Sequence, residues 1–148
     1  MKSIFNSITR DEIVQRINSL NESNTAQWGK MNVYQMVRHC VLCEEMYLGK
    51  TKYKRAFIGR LFGKMGLKNL LKDDMPLKHN SPTSAAFKIT QVSGNVNAEK
   101  ENWIALIKEY EHYSNEPFIH WFFGKMTQEE IGYFVYKHSD HHLRQFNC

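Results

Sequence analysis

A chain of 148 residues, 42% hydrophobic, 13% aromatic and 24% charged, carries enough apolar side chain for a packed core, which excludes a disordered polypeptide. The net charge of +5 invites an acidic partner, but no groove-reading or aromatic-interleaved motif accompanies it, so nucleic-acid binding ranks last. No run approaches the ~20 apolar residues of a membrane span and no leader is evident in residues 1–20, so a cytoplasmic protein without a membrane partner is expected. The three cysteines, Cys40, Cys43 and Cys148, are too few and odd in number for a disulfide framework, which fits a reducing compartment.

The first helix is expected to open at Thr9, where Thr9-Arg10-Asp11-Glu12 reads as a capping box. Ile13, Val14, Ile17 and Leu20 then form one apolar stripe, and the polar run 21–25 ends it. A second helix starts at Asn32, with Gln35 three residues on, and stops before Gly49. Val33, Met36, Cys40, Cys43 and Tyr47 recur along one arc with His39 at its edge, while Val37, Val41 and Leu48 fall elsewhere, so this helix is buried on more than one side.

Residues 53–71 form a basic amphipathic stretch whose apolar positions are Phe57, Ile58, Leu61, Phe62 and Met65. Gly59, Gly63 and Gly66 count against one straight helix there. Residues 76–82 read as a loop and 87–92 as extended chain. A third core helix covers 97–113, with Trp103, Leu106, Ile107, Tyr110 and Tyr113 on one face. An aromatic-rich connection, 117–124, holds His120. The last helix opens with a second capping box, Thr127-Gln128-Glu129-Glu130, and runs to about Phe146. The predicted fold is all-α: a four-helix bundle forming one domain over 1–148, with the basic segment inserted between the second and third core helices.

In the last helix Ile131, Phe134, Val135, His138, His142 and Gln145 share one direction, whereas Tyr136 and Asp140 point the opposite way. Two imidazoles in an apolar face are costly without partners. Either they are core histidines bonded to backbone or tyrosine, or they share one metal ion, as helical H-x-x-x-H pairs do. A third ligand would come from another helix. His39 is the best candidate, because His112 lies nearer the end of the bundle. Three imidazoles leave positions open for water or substrate, as catalytic sites do, and zinc, nickel and iron all suit them.

Gln145, one turn past His142, is placed to orient a bound ligand or a histidine ring. His120 is either an acid or base at the pocket mouth or an ordinary aromatic-loop residue. His141 is a partner of the inner face or a surface residue, and His79 has no partner in view. Cys40 and Cys43 read as small buried hydrophobes ahead of a redox pair or zinc half-site, although Cys43 follows His39 by one turn. These residues point to a metal site with positions open to a small-molecule substrate. The competing reading is a non-catalytic, metal-stabilised binding module whose basic stretch, 50–78, docks an acidic partner.

Trp28, Met31, Gln35 and His39 resemble the second-helix signature of the DinB/YfiT-like proteins. Phe118-Ile119-His120-Trp121-Phe122-Phe123-Gly124, then Thr127 to Glu130 and Lys137-His138-Ser139-Asp140-His141-His142-Leu143-Arg144-Gln145-Phe146, look like a branch of that superfamily whose function is unknown. The resemblance covers nearly the whole chain. It implies a four-helix bundle with a long second-to-third connection, often a homodimer, and a divalent metal held by His39, His138 and His142. It also implies thiol chemistry, in which relatives transfer bacillithiol or mycothiol to electrophiles or isomerise substrates with thiol help; others are taken for hydrolases. The chain departs from the branch at the pocket mouth, where His120-Trp121 stands in place of His-Pro.

Overall fold

The computed structural model describes residues 1–114 and 117–148. Five α-helices carry most of them: α1 (Ser7–Ser19), α2 (Val33–Tyr47), α3 (Phe57–Leu70), α4 (Val96–Glu109) and α5 (Gln128–Gln145). The only sheet among the described residues is an antiparallel pair, β1 (Ile119–His120) with β2 (Gly124–Lys125). The protein is all-α in that sense. Helix α1 packs on α4 and α5, and α2 packs on the same two, so these four helices close a ring around the core. Ile13, Ile17, Met36, Val37, Trp103, Ile107, Val135 and Leu143 fill it with no exposed surface.

Local signals explain most helix ends. Asn32 and Gln35 complete a capping box at α2, and Thr127 and Glu130 complete another at α5. Helix α1 differs from expectation. Its cap is Asn6, whose side chain accepts from Thr9 N at 3.1 Å, so Thr9 lies inside the helix and is buried. Asn6 is among the strongest cap formers and wins because it stands three residues before the Thr9 N–H. Residues 87–92 do not join a sheet; Phe87 ends a short 3-10 turn, Ala85–Phe87, and the following chain is unpaired with any strand. The third core helix gives way after Glu109 to a 3-10 turn, Tyr110–His112.

Two charged residues on α5 are buried outside the histidine face. Asp140 does point away from His138, yet it is buried, because α1 covers that side and Arg16 binds its carboxylate at 2.8 Å. Lys137 is buried too, and its ammonium donates to the carbonyls of Leu70 and Asp73 at 2.7 and 2.8 Å, tying α5 to the end of α3.

Helix α3 runs unbroken through the three glycines that count against it in the sequence. The apolar set Phe57, Ile58, Leu61, Phe62 and Met65 faces outward, and the buried face is Gly59, Gly63 and Leu67. The glycines do not break the helix. They let it lie directly on the backbone of Phe122, where a Cβ at Gly59 or Gly63 would strike the Phe122 carbonyl oxygen. Gly63→Ala is therefore expected to cost about 1–3 kcal/mol, lowering Tm by about 5 °C. Gly66→Ala, whose Cβ would meet only ring carbons at ordinary contact distance, should be neutral or stabilising. Equal thermal melts for the two variants would refute this account of the close approach. Among the described residues no helix is long and apolar enough to cross a membrane.

Candidate metal centre

His39 projects from the second turn of α2, and His138 and His142 from successive turns of α5. Because α2 and α5 are neighbours in the ring, the three imidazoles meet. Their ring centroids are 5.4 Å (His39–His138), 4.9 Å (His39–His142) and 4.8 Å (His138–His142) apart. Their candidate ligand nitrogens all lie within 4.8 Å of one another, so the cluster could hold a metal ion.

The surroundings settle how two rings are presented. His39 Nδ1–H donates to the Phe87 carbonyl at 2.9 Å, which leaves Nε2 unprotonated, with the Cys43 thiol 3.7 Å from it. Gln145 donates from Nε2 to the Trp28 carbonyl at 2.7 Å, so its Oε1 faces His142 and accepts from Nδ1–H at 3.0 Å. His142 Nε2 is then the free nitrogen. His138 is half-buried, and its Nδ1 is a buried polar atom without a hydrogen-bond partner. The orphaned nitrogen is the test of fit. A buried imidazole nitrogen left unpaired is unfavourable in a purely structural cluster and natural beside a cation. Zinc–imidazole bonds are about 2.0–2.1 Å, so nitrogens within 4.8 Å of one another would draw closer around a bound ion. The donor set fits a divalent ion.

Electrostatics favours the ligand form. Burial lowers the pKa of His39, with the Phe87 hydrogen bond opposing, and burial holds His138 and His142 well below the ordinary value, aided by their imidazole neighbours. All three rings are neutral at pH 7, as metal ligation requires.

The cluster forms part of the wall of a cavity of about 500 Å³, where Tyr47, Phe87, Trp121 and Phe134 face the polar chain of Lys78, Ser81 and Thr83. A second cavity, about 440 Å³, shares His141 and His142 with the first and is lined by Trp28, Lys30, Ser81, Lys88 and Gln145. His120 also faces the first cavity. The hairpin turn aims the backbone N–H groups of Phe122 and Phe123 at its Nδ1, both at 3.1 Å. That fixes the proton on Nε2. Burial, and then the Arg55 charge, lower its pKa to about 3, so it stays neutral.

The remaining candidates divide. Cys43 Sγ lies 3.7 Å from His39 Nε2, but both Cys40 and Cys43 are free and fully buried, and burial pushes their thiols well above the usual range. Neither is a thiolate at neutral pH. His79, which showed no partner in the sequence, stacks on Trp28 at 3.7 Å and 9°. His141 is half-buried between the two cavities, and His112 is exposed, away from the cluster. Sequence reasoning missed the carbonyls of Phe87 and Trp28 that aim the rings. It also missed Glu44, which is fully buried below the site, accepts from Tyr110 Oη at 2.5 Å and Ser139 Oγ at 3.3 Å, and is pushed up to about 7 by burial.

No curated protein and no solved structure matches the chain. A family model described as "Protein of unknown function (DUF1569)" matches residues 5–148, and the chain accordingly belongs to that family.

Proposed function

We propose that this protein is a metal-dependent enzyme of the DinB/YfiT-like type, acting on a small molecule as a thiol-dependent S-transferase or a hydrolase. One observation carries the reading: three neutral imidazoles from two helices converge on the wall of a large, partly aromatic cavity, with one nitrogen orphaned. The ring of α1, α2, α4 and α5, with α3 inserted between α2 and α4, is the arrangement that a four-helix bundle of that superfamily would need.

In this reading His39, His138 and His142 hold the ion. A divalent ion in such a site lowers the pKa of a bound water or thiol and so supplies a nucleophile near neutral pH. The chain's own residues do the rest. Phe87 and Gln145 keep two imidazoles aimed, Gln145 acting on the ring of His142 rather than on substrate. The aromatic wall binds the apolar part of a substrate and excludes water. His120 serves as a neutral hydrogen-bond donor from Nε2, since its Nδ1 is occupied and it takes no second proton near pH 7. The second cavity, with Lys30 and Lys88, suits an anionic thiol co-substrate meeting the electrophile at the histidines.

The test is elemental analysis of protein purified without a histidine tag, followed by thiol-consumption and ester-hydrolysis screens on zinc-, nickel- and iron-loaded protein, using chlorinated and epoxide electrophiles. Metal-dependent turnover that disappears in His138→Ala is expected. Full activity in stripped protein, or no stoichiometric metal, would overturn the proposal.

A further inference from the structure

Helix α3 presents an unusual outer face. Phe57, Ile58, Leu61, Phe62 and Met65 are each between 53% and 75% exposed, on a helix only 14 residues long. At 100° per residue they span one sector, opposite Gly59, Gly63 and Leu67, which face the protein. Along one flank of the same sector run Arg60, Lys64 and Lys68, all exposed. No Asp or Glu occurs from residue 46 to residue 72, and Lys52, Lys54 and Arg55 add further positive charge, while Lys50 pairs with Glu109 and Lys72 with Asp73. The acidic group near the flank is Glu130, 3.5 Å from Lys64 across an exposed gap. Contiguous exposed apolar side chains of this size mark a binding surface rather than chance exposure.

We infer that this face docks on an anionic lipid bilayer, with α3 lying in the headgroup plane. Charge chooses the occupant. Bulky apolar side chains beside a basic flank, on a helix that itself carries no acidic residue, are the composition of an interfacial helix that seats its apolar face at the acyl boundary and its cations among lipid phosphates. A second copy of the chain would bring the same cations to the rim of the joint, where like charges repel. Such seating needs no spanning helix. The face is also held firmly: the α3 backbone is pinned to the hairpin by Ala56 N–H donating to the Trp121 carbonyl at 3.0 Å and by the close approach of Gly59 and Gly63 to Phe122. Trp121 and Phe122, against which the inner face of α3 rests, line the large cavity, so α3 lies between that wall and the outer apolar face.

The experiment is flotation of the full-length protein with phosphatidylcholine vesicles, with and without phosphatidylglycerol, at low and high salt. Wild type is expected to float with the anionic vesicles only, less so at high salt. Leu61→Asn/Phe62→Asn should weaken partitioning at least about tenfold. Arg60→Gln/Lys64→Gln should weaken it about tenfold with a shallower salt dependence. Because every altered side chain is exposed, circular dichroism and Tm should stay unchanged in both. The inference fails if the protein does not partition at low salt, or if Leu61→Asn/Phe62→Asn partitions like wild type. It also fails if light scattering shows a dimer that this variant splits, which would assign the face to a second copy.

Discussion

His138→Ala is expected to take bound divalent metal from one equivalent to none while leaving the helical circular dichroism intact. His138 stands between Phe134 and His142 on α5 and borders the cavity, and its Nδ1 has no partner to strand when the ring is removed. Truncation therefore deletes an unsatisfied group together with a ligand, and folding survives. His39→Ala and His142→Ala should also abolish stoichiometric binding, but each orphans a buried acceptor, the Phe87 carbonyl or Gln145 Oε1, at a cost of about 1–3 kcal/mol. Gln145→Ala is the informative contrast. It keeps all three imidazoles and frees the ring of His142, so affinity should fall about 10–100-fold rather than vanish. Elemental analysis and chelator competition read these outcomes; one retained equivalent of metal in His138→Ala would mean that the ion, if any, sits elsewhere.

Metal-free protein is expected to lose stability as the pH falls from 7 to 5. His120 has a folded pKa near 3 against about 6.5 in the unfolded chain, so on acidification the unfolded state takes up a proton that the folded state refuses. Its contribution is complete above pH 6.5 and shrinks as the pH drops toward 3, by about 2 kcal/mol at pH 5. Glu44 works in the opposite sense. With its folded value raised to about 7, it favours the folded state at low pH and loses that advantage as pH rises through 7, so it offsets His120 over this interval. The balance falls to His138 and His142, both depressed by burial and by their imidazole neighbours, and to His39 in the same direction. Thermal melts across the pH range should show a fall in Tm below about pH 6.5, steeper in Glu44→Gln, which lacks the offset. A flat profile would contradict the assignment of these rings as neutral. In the loaded protein protonation competes with the ion, so metal should be released over the same interval, and full occupancy well below pH 5 would exclude an all-histidine site.

The sequence announced what depends on helical period and little of what depends on backbone. His138 and His142 are legible because a four-residue step on an apolar helix face leaves two rings side by side, and His39 because it lies on the one other core helix that offers an inward imidazole. The carbonyls of Phe87 and Trp28 have no signature, since any residue at those positions carries the same oxygen. The Thr9 box misled because a better-placed Asn6 competed for the same N–H. For α3, amphipathicity was right, and the expectation that three glycines would break one straight helix was wrong. Period alone makes the apolar face the buried one, and nothing local reveals that the Phe122 backbone needs a glycine surface to rest on.

The anchoring of residues 87–92 has one more consequence. Asn32 Nδ2 donates to the Val92 carbonyl at 2.6 Å, Gln35 Nε2 to the Ile89 carbonyl at 3.1 Å, and His39 Nδ1 to that of Phe87. Three side chains on successive turns at the start of α2 thus grip one strip of chain, and the imidazole is the last of them. The strip rides with α2 whatever precedes it. Lengthening or shortening the segment 72–83 should therefore leave the aim of His39 untouched, even though Leu77, Lys78 and Ser81 in it help to line the cavities and would move.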